Sequence, residues 1–544
     1  MADATNTAPL AGIKVIDWTQ VQSGPSCTQM LAWMGAEVIK LEKVKGGDPT
    51  RNEMNDVDGS YSLYFLQLNA NKKSITLDMK DPEGKKILTD LLKDADVFVE
   101  NIGPGDVEKL GFGWDEVHKI NPRLIMASLK GFNQGSRFEH VKAFEPVAQC
   151  AGGAASTTGW WDGDKNVPTQ SGAALGDSNT GMHLLIGILT ALLQRERTGE
   201  GVFVYQSMQN AVLNLCRIKL RDQLILDHLH QLSYYDCYPG YKFGKAIPRA
   251  ANAEGGLVLG WCYRAKGWET DPNAYVYIVI QQSQKGFENF CNAMGFQDWL
   301  TDPKFSTPNA RDEHKQEVYK RVEQYTMQYD KYTLTKELGA KGVPVGPVLD
   351  WNELENDPDL NEDGTLITID QGDARGKFKT IGMPFTLSNY TPDYQRAPKL
   401  GENNEEILTA LGYTEDQIKE LAQRGVIGGN DGVKADLVAA PTTDFGAASR
   451  GGAGMRFTIL DSGEELRPDD LCMFVYVAKS GTVKYKCGRH FLYTEPDGDT
   501  RYSVLRDGRI PELEGYSLIV AVRPVREFED VPIFDTETGV VDRE

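Results

Sequence analysis

Short apolar runs alternate with helical segments along the first quarter of the chain, and this alternation constrains the fold more than any other feature of the sequence. The runs are typical of strands that are buried on both faces of a sheet. The predicted strands are 13–18, 38–42, 74–80, 97–101 and 124–129, with predicted helices at 26–35, 81–92 and 104–110 between them. Because parallel strands in one sheet need crossover connections, which are usually helices, the pattern predicts a Rossmann-like α/β domain.

Amide and lysine side chains gather just after the predicted strands. Ligands of open α/β sheets bind beyond the carboxyl ends of the strands, where such residues would meet. The residues in this position are Gln20, Gln22, Ser23, Lys43, Lys80, Asn101 and Gly103. Any one of the lysines alone is more commonly a solvated surface residue, but together with the amides they predict a site for a phosphorylated ligand.

A loop that turns into an apolar helix spans Ser171 to Gly199. Asp177 stands at the start of the predicted helix, where aspartate is a preferred N-cap residue, and Gly199 is typical of the residue that ends a helix. The helix is apolar on nearly every face, which predicts that it is buried. Since a helix N-terminus favours negative charge by roughly 0.3–1 kcal/mol, Asp177 is expected to stay ionised and could act as a nucleophile. Spacing alone favours the simpler interpretation that Asp177 only caps the helix.

Length and charge limit the class of protein. A chain of 544 residues is too long for one core and predicts two or three domains. A formal charge of −20 argues against nucleic acid or an anionic membrane as partner. No apolar run reaches the roughly 18 residues of a membrane span, and the first residues lack a basic patch and an apolar stretch. A cytoplasmic protein is therefore expected.

The cysteines and histidines do not predict a metal site. The eight cysteines are scattered without a CxxC pair, which favours structural thiols. The close pairs His228 with His230 and Cys487 with His490 are isolated, and no metal is predicted at either.

The run GAALGDSNTGMHLLIGILTALLQRERTG, which contains Asp177, and the run SMQNAVLNLCRIKLRDQ from Ser207 to Gln223 resemble class III CoA-transferases. The resemblance is strongest to members that move CoA between formate and oxalate, and it extends from about Leu10 to about Ile427. It implies that Asp177 attacks an acyl-CoA thioester. It also implies a Rossmann-like large domain, a small α/β domain and an interlocked homodimer.

The resemblance assigns further residues to the site. It implies that CoA is contacted by Gln22, Ser23, Lys43, Leu77, Lys80, Asn101, Gly103, Lys109, Lys142 and Phe144. Lys43 and Lys109 stand where arginines would be expected; they keep the charge but lose the bidentate fork. Gln20 replaces a histidine and Phe144 replaces a tyrosine, while Tyr64 is retained as a substrate contact.

A glycine-bearing segment at 252–261 matches the loop that covers the active site in the family. Gly255 and Gly256 would shield the acyl intermediates from water, with Leu257 beside the substrate. The resemblance thus implies the catalytic set Asp177, Gln22, Glu145, Gly255 and Gly256. The plainer interpretation of 252–261 is a turn next to a strand.

The predicted domain boundaries follow the composition and the resemblance. Residues 1–233 form the first part of the large domain, 234–342 the glycine loop and the small α/β domain, and 343–427 the return to the large domain. Residues 428–454 are rich in Gly, Ala, Ser and Thr and predict a flexible linker. Residues 455–544 predict a β-rich accessory module to which the resemblance does not extend, with strands at 473–478, 483–487, 490–493, 501–505 and 516–522.

The predicted reaction is the transfer of CoA from formyl-CoA, succinyl-CoA or acetyl-CoA to oxalate or a similar small dicarboxylic acid. The CoA thioester is then a substrate, and no permanently bound cofactor is expected. Two alternatives stay open. One is an acyl-CoA racemase of the same fold, which needs an acid/base pair. The other is a CoA-binding scaffold that presents the C-terminal module.

Overall fold

The computed structural model describes residues 8–161, 163–230, 245–253 and 259–429, and the backbone of seven strands between residues 457 and 542. The chain divides into two compact units, Met1–Leu437 and Val438–Glu544. The predicted glycine loop residues Gly255, Gly256 and Leu257 lie outside the described residues. In the part of the chain that is described, no helix combines the length and the apolar character needed to cross a bilayer.

A six-stranded parallel sheet organises the first unit. Its strand order is β3-β2-β1-β4-β5-β6, the Rossmann order, and every neighbouring pair is parallel. The strands are β1 (Lys14–Trp18), β2 (Glu37–Glu42), β3 (Lys73–Thr76), β4 (Val97–Glu100), β5 (Ile125–Lys130) and β6 (Phe203–Ser207). The predicted α/β fold is confirmed. Two details were wrong: the third strand ends at Thr76 instead of residue 80, and the half-buried edge strand β6 was not predicted.

Helices cover both faces of this sheet. They are α1 (Ser23–Trp33), α2 (Leu63–Asn69), α3 (Pro82–Lys93), α4 (Asp106–Leu110), α5 (Trp114–Ile120), α6 (Glu145–Ala151), α7 (Ala154–Thr157), α8 (Ser178–Thr198), α9 (Met208–Leu215) and α10 (Arg217–Leu229). Short 3₁₀ turns lie at Pro49–Arg51, Gly163–Lys165 and, in the small domain, Gln297–Leu300.

Helix α8 packs against α1, and Gly181 makes the close approach possible. A Cβ atom at this position would lie 2.5 Å from the carbonyl oxygen of Ser23. Leu184 and Ile188 of α8 share one buried cluster with Leu31 of α1. The first turn of α8 is thereby fixed beside the loop that precedes α1.

The prediction that α8 is buried on all sides is wrong for the single chain. Its buried residues lie on the side that meets α1 and the sheet, whereas Ile186 and Leu193 are 62% and 58% exposed. The apolar outer face therefore has no cover within the described residues.

A second sheet and four helices form the small α/β part. Its strands are antiparallel in the order β7-β8-β9, namely β7 (Leu259–Arg264), β8 (Tyr275–Ile280) and β9 (Val345–Pro347). The helices are α11 (Gln284–Met294), α12 (Pro308–Glu313), α13 (Lys315–Thr326) and α14 (Lys331–Gly339). An aromatic core of Phe287, Phe290 and Trp299 holds these layers together.

The following segment rejoins the large sheet. It contains α15 (Trp351–Glu355), α16 (Pro358–Glu362), β10 (Leu366–Asp370), β11 (Lys377–Ile381), α17 (Asn404–Ala410) and α18 (Glu415–Gln423). Asn403 and Asn404 accept hydrogen bonds from the β3 backbone at Ser74 (3.0 Å) and Thr76 (2.9 Å). Because β3 is an edge strand, these amides satisfy donors that would otherwise be unpaired.

The second unit is β-rich, as predicted. Its main sheet is antiparallel in the order β12-β16-β13-β14-β15, and a two-stranded sheet pairs β17 with β18. The strands are β12 (Phe457–Ile459), β13 (Leu471–Val477), β14 (Val483–Thr494), β15 (Thr500–Val504), β16 (Tyr516–Pro524), β17 (Ile533–Phe534) and β18 (Val541–Asp542). The two strands predicted at 483–487 and 490–493 are one continuous strand.

Candidate functional site

A cavity of about 860 Å³ opens at the carboxyl ends of the parallel strands. Asp177 lines it, as does Gln20 from the loop after β1. The other predicted residues in its lining are Ser23, Lys43, Leu77, Lys80, Asn101, Gly103, Lys142 and Phe144. The volume lies in the range of a ligand-sized pocket.

Four of the predicted residues that the structure describes stand outside the lining. Glu145 contacts the backbone of Asp177, Gln22 contacts the neighbouring Ser178, and Tyr64 contacts Gln22. Lys109 is different: its side chain is 75% exposed, and its ammonium group forms an ion pair with Asp106 at 2.9 Å. The structure therefore gives no geometric support to Lys109 as a contact of the cavity.

The carboxylate of Asp177 is buried and unengaged. Asp177 is 7% exposed, and it precedes α8 without a side-chain capping hydrogen bond. No described residue donates a hydrogen bond to its carboxylate oxygens. The interpretation that Asp177 only caps the helix therefore lacks the contact it requires.

Glu145 fixes the backbone around Asp177. The N–H groups of Asp177 and Gly176 donate to its Oε2 (2.5 Å) and Oε1 (2.9 Å). Gln149 donates to the same Oε1 at 2.7 Å. Both oxygens of Glu145 are thus used for holding the loop, which places its negative charge beside Asp177.

Burial raises the pKa of Asp177 from its ordinary 3.8 to about 7, and the charge of Glu145 acts in the same direction. The expectation that this carboxylate stays ionised therefore holds only in part, because a group with a pKa of about 7 is partly protonated at neutral pH. Desolvation and the neighbouring carboxylate outweigh the helix dipole, whose effect is roughly 1 kcal/mol or less.

Gln22 connects the first helix to the residue after Asp177. Its Nε2 donates to Ser178 Oγ at 2.9 Å, and its Oε1 accepts from the Tyr64 hydroxyl at 3.2 Å. Burial, followed by the charge of Asp177, raises the pKa of the Tyr64 hydroxyl, so it remains a neutral donor. This chain of contacts fixes the Gln22 amide between Tyr64 and the start of α8.

Asn101 has a structural partner as well as a place in the cavity. Its Oδ1 accepts from the Gln20 N–H at 2.8 Å, and its Nδ2 donates to the Gln20 carbonyl at 2.9 Å. The side chain at the end of β4 therefore fixes the loop that follows β1.

Lysines supply positive charge against the acidic background of the chain. Those in the cavity lining that form no salt bridge with a described residue are Lys43, Lys45, Lys80 and Lys142. Lys130 also lines the cavity, but it is paired with Glu100 at 2.6 Å.

Lys45 was missed by the sequence analysis. It comes two residues after Lys43 in the loop that follows β2, and both lysines are exposed at the cavity. The signal was present as a second lysine in the same loop. Among the residues that the structure describes, no group of three or more His, Cys, Asp or Glu is arranged to hold a metal ion.

Comparisons with known proteins show which family and which proteins this chain is similar to. A family model described as CoA-transferase family III matches residues 10–404. Proteins named formyl-CoA:oxalate CoA-transferase from Escherichia coli (strain SMS-3-5 / SECEC) and Shigella dysenteriae serotype 1 (strain Sd197) are each 51% identical over 421 residues. The match spans 77% of this chain and 100% of each relative.

Two solved structures share the fold of this chain. A CAIB/BAIF family protein from Brucella suis superposes with a TM-score of 0.61 and 26% identity, over 75% of this chain and 100% of that one. The protein Rv3272 from M. tuberculosis gives a TM-score of 0.59 with 24% identity, over 74% and 99% of the two chains.

Replacing Asp177 by Asn is expected to stabilise the fold at alkaline pH. A carboxyl group whose pKa is about 7 in the folded chain and ordinary in the unfolded chain holds its proton better when folded, so it destabilises the fold as the pH rises through that interval. Asp177→Asn should raise the free energy of unfolding at pH 8 on the order of a few kcal/mol. The gain should shrink as the pH falls from about 7 towards 4.

Urea unfolding at several pH values measures this gain. Asp115→Asn, at an exposed position in the first turn of α5, is the matched control and should show no such dependence. An Asp177→Asn gain that is absent, or equal at pH 8 and pH 4, would contradict the raised pKa.

Proposed function

The chain belongs to CoA-transferase family III, and we propose that it moves CoA from an acyl-CoA to oxalate through a covalent intermediate on Asp177. The observation that carries this proposal is the buried carboxylate of Asp177, which accepts no hydrogen bond from a described residue, in a cavity that also presents lysines without a salt bridge to a described residue. A reactive carboxylate and a phosphate-binding surface in one pocket suit an acyl-CoA. The names of relatives 51% identical to this chain support formyl-CoA as donor and oxalate as acceptor.

The proposed reaction proceeds by exchange of acyl groups. A carboxylate oxygen of Asp177 attacks the thioester carbonyl, the C–S bond breaks, and a mixed anhydride and CoA thiolate result. The thiolate then attacks the aspartyl carbonyl, which gives an aspartyl-CoA thioester and releases formate. Oxalate attacks this thioester, and the same steps in reverse yield oxalyl-CoA and free Asp177. Because every step exchanges one activated acyl bond for another, the thioester free energy is conserved.

The surroundings of Asp177 fit a nucleophile that needs no separate base. With a pKa of about 7, a large fraction of the group is ionised at neutral pH, and the ionised form is poorly solvated. Glu145 holds the loop by accepting from its N–H groups. Backbone N–H groups near Gln22, and those of Gly255 and Gly256, are the proposed donors to the oxyanions.

The residues around the acyl group bear on the choice of substrate. We propose that Tyr64 and Leu257 contact the acid, and that Phe144, which lacks the hydroxyl of a tyrosine, widens the range of donors to succinyl-CoA or acetyl-CoA. No permanently bound cofactor and a cytoplasmic location complete the proposal.

The racemase alternative needs two free acid/base groups at one carbon atom. Glu145 is the carboxylate beside Asp177, and both of its oxygens accept hydrogen bonds that hold the loop. This arrangement favours a single nucleophile. A pure scaffold would not require the carboxylate at all.

We also propose a homodimer, since the described residues leave several apolar side chains of α8–α10 exposed. These residues are Ile186, Leu193, Leu213, Leu215, Ile218, Leu220, Leu224 and Leu229. Many exposed apolar side chains on neighbouring helices are typical of an interface. The family resemblance supports a second copy of the chain as the occupant.

Covalent trapping tests the nucleophile. Incubation of the enzyme with formyl-CoA, succinyl-CoA or acetyl-CoA, followed by hydroxylamine or borohydride, should modify Asp177, as peptide mass spectrometry would detect. Asp177→Ala should lose transfer to oxalate by several orders of magnitude, because no other group replaces the covalent step. Asp115→Ala is the control and should retain activity. A racemase would leave Asp177 unmodified, and a scaffold would tolerate Asp177→Ala.

A matched pair of lysine variants tests the CoA contacts. Lys45→Gln should raise the dissociation constant of CoA roughly three- to tenfold, because an unpaired charge at the cavity is lost. Lys109→Gln should change it less than about twofold, because Lys109 lies outside the lining and pairs with Asp106. Isothermal titration measures both. If both variants changed the dissociation constant of CoA equally, the proposal that Lys45 and not Lys109 contacts CoA would be wrong.

Charged substitutions test the dimer. The pair Leu220→Asp and Leu224→Asp, at two exposed positions of α10, should convert the dimer to a monomer, since a second copy would have to bury both charges. Sedimentation equilibrium reports the mass. Ile381→Asp, an exposed position on β11, is the control and should leave the mass unchanged. A wild-type monomer would end the proposal.

A further inference from the structure

The proposed reaction makes no use of Asp48, which is buried beneath the loop between β1 and α1. Asp48 is 3% exposed and lies just before the 3₁₀ turn Pro49–Arg51. Its Oδ2 forms an ion pair with Lys40 at 2.9 Å. Its Oδ1 accepts from the N–H and the hydroxyl of Thr50, at 3.0 and 2.8 Å. The same oxygen accepts from the backbone N–H of Val21, at 3.2 Å.

Val21 has a strained backbone. Its φ angle is +64°, in the left-handed region, and it is the one β-branched residue among the described non-glycine residues with positive φ. This conformation costs an L-residue roughly 1–2 kcal/mol, and more for a branched side chain. Such strain persists only where the surroundings impose it, and it is frequent at functional sites.

The loop around Val21 is held at each neighbouring position. Lys40 donates to the Thr19 carbonyl at 2.8 Å, and Asn101 brackets the backbone of Gln20. The Gln22 side chain reaches Ser178. Asp48 is the group that holds Val21 itself, and through Lys40 it is also connected to Thr19.

The loop between β1 and α1 lines the same cavity as Asp177. Gln20, Val21 and Ser23 line the same cavity as Asp177. The backbone N–H groups of Gln22 and Ser23 have no acceptor among the described residues. A left-handed residue reverses the local chain direction, so the conformation of Val21 decides where the next two N–H groups lie.

We propose that Asp48 is a positioning residue: it holds Val21 in the left-handed conformation and thereby sets Gln22 and the adjacent N–H groups against the reacting acyl group. The inference rests on the proposed transfer reaction. Asp48 is not among the described residues that line the cavity. Without Asp48 these N–H groups would be misplaced and would stabilise the oxyanion of the transition state less well. The loss of Asp48 should therefore lower kcat and leave the KM of the acyl-CoA largely unchanged.

A rescue experiment separates this role from simple stabilisation. Asp48→Asn removes the charge that attracts both Lys40 and the Val21 N–H, and kcat for CoA transfer should fall roughly tenfold or more. Val21→Gly in the same chain should restore most of this loss, because glycine adopts positive φ without strain. If Asp48 only pairs with Lys40, the glycine restores nothing, and the proposal is overturned.

A second buried ion pair supplies the control. Asp17 pairs with Lys72 at 2.9 Å, with both side chains fully buried. Asp17→Asn should lower the melting temperature as Asp48→Asn does. Adding Val21→Gly to Asp17→Asn should not raise the kcat of that variant. Restoration in both backgrounds would mean that glycine acts by a route independent of Asp48.

The test remains decisive if Asp48→Asn fails to fold alone. The chain that carries both Asp48→Asn and Val21→Gly is then compared with the chain that carries Val21→Gly alone. The proposal expects their kcat values to agree within about twofold, because a glycine at position 21 no longer needs Asp48 to hold it. A tenfold lower kcat in the double variant overturns it. Absence of transfer in the wild-type enzyme would instead refute the proposed function, so the two failures are distinguishable.

Discussion

The contact between α1 and α8 is the constraint on which the site depends. Gly181 lets the backbones approach so closely that any Cβ atom would collide with the Ser23 carbonyl oxygen, at 2.5 Å. This contact places the start of α8, and with it Asp177, against the loop that leaves β1. The parallel sheet fixes where that loop ends, because ligand sites of such sheets form at the carboxyl ends of the strands. The proposed nucleophile from the middle of the chain and a loop from its beginning are thereby brought together at one cavity.

Buried charged side chains also restrain the loop between β1 and α1. Lys40 with Asp48, Arg51 with Glu42 and Lys72 with Asp17 form three buried ion pairs at 2.9, 2.6 and 2.9 Å. Burial lowers the pKa of Lys72 to about 8 although Asp17 acts to raise it, which shows how much desolvation opposes such pairs. Buried ion pairs are therefore weak evidence of stability. Their directional hydrogen bonds instead fix the backbone geometry, as at Val21.

The sequence predicted those parts of the site that depend on local pattern. The strand ends were placed within a few residues, so the cavity lining at Lys43, Lys80 and Asn101 followed from the topology. The raised pKa of Asp177 was not predicted, because it depends on burial and on Glu145, which lies 32 residues away along the chain. The place of Lys109 outside the cavity likewise depends on three-dimensional packing. The left-handed Val21 gave no sequence signal, since valine is among the residues least expected there.

The raised pKa of Asp177 gives the proposed chemistry a physical reason. The ionised carboxylate is buried beside the negative charge of Glu145, and both effects raise its free energy. Acylation removes that charge, because the mixed anhydride and the aspartyl thioester are neutral at this position. Formation of the covalent bond therefore removes the unfavourable free energy of a desolvated charge. This favours acylation of Asp177 relative to the free carboxylate. A solvated aspartate with a pKa near 4 would be easier to keep ionised and would gain less from acylation. The same burial that weakens the fold at alkaline pH thus makes Asp177 suited to accept an acyl group.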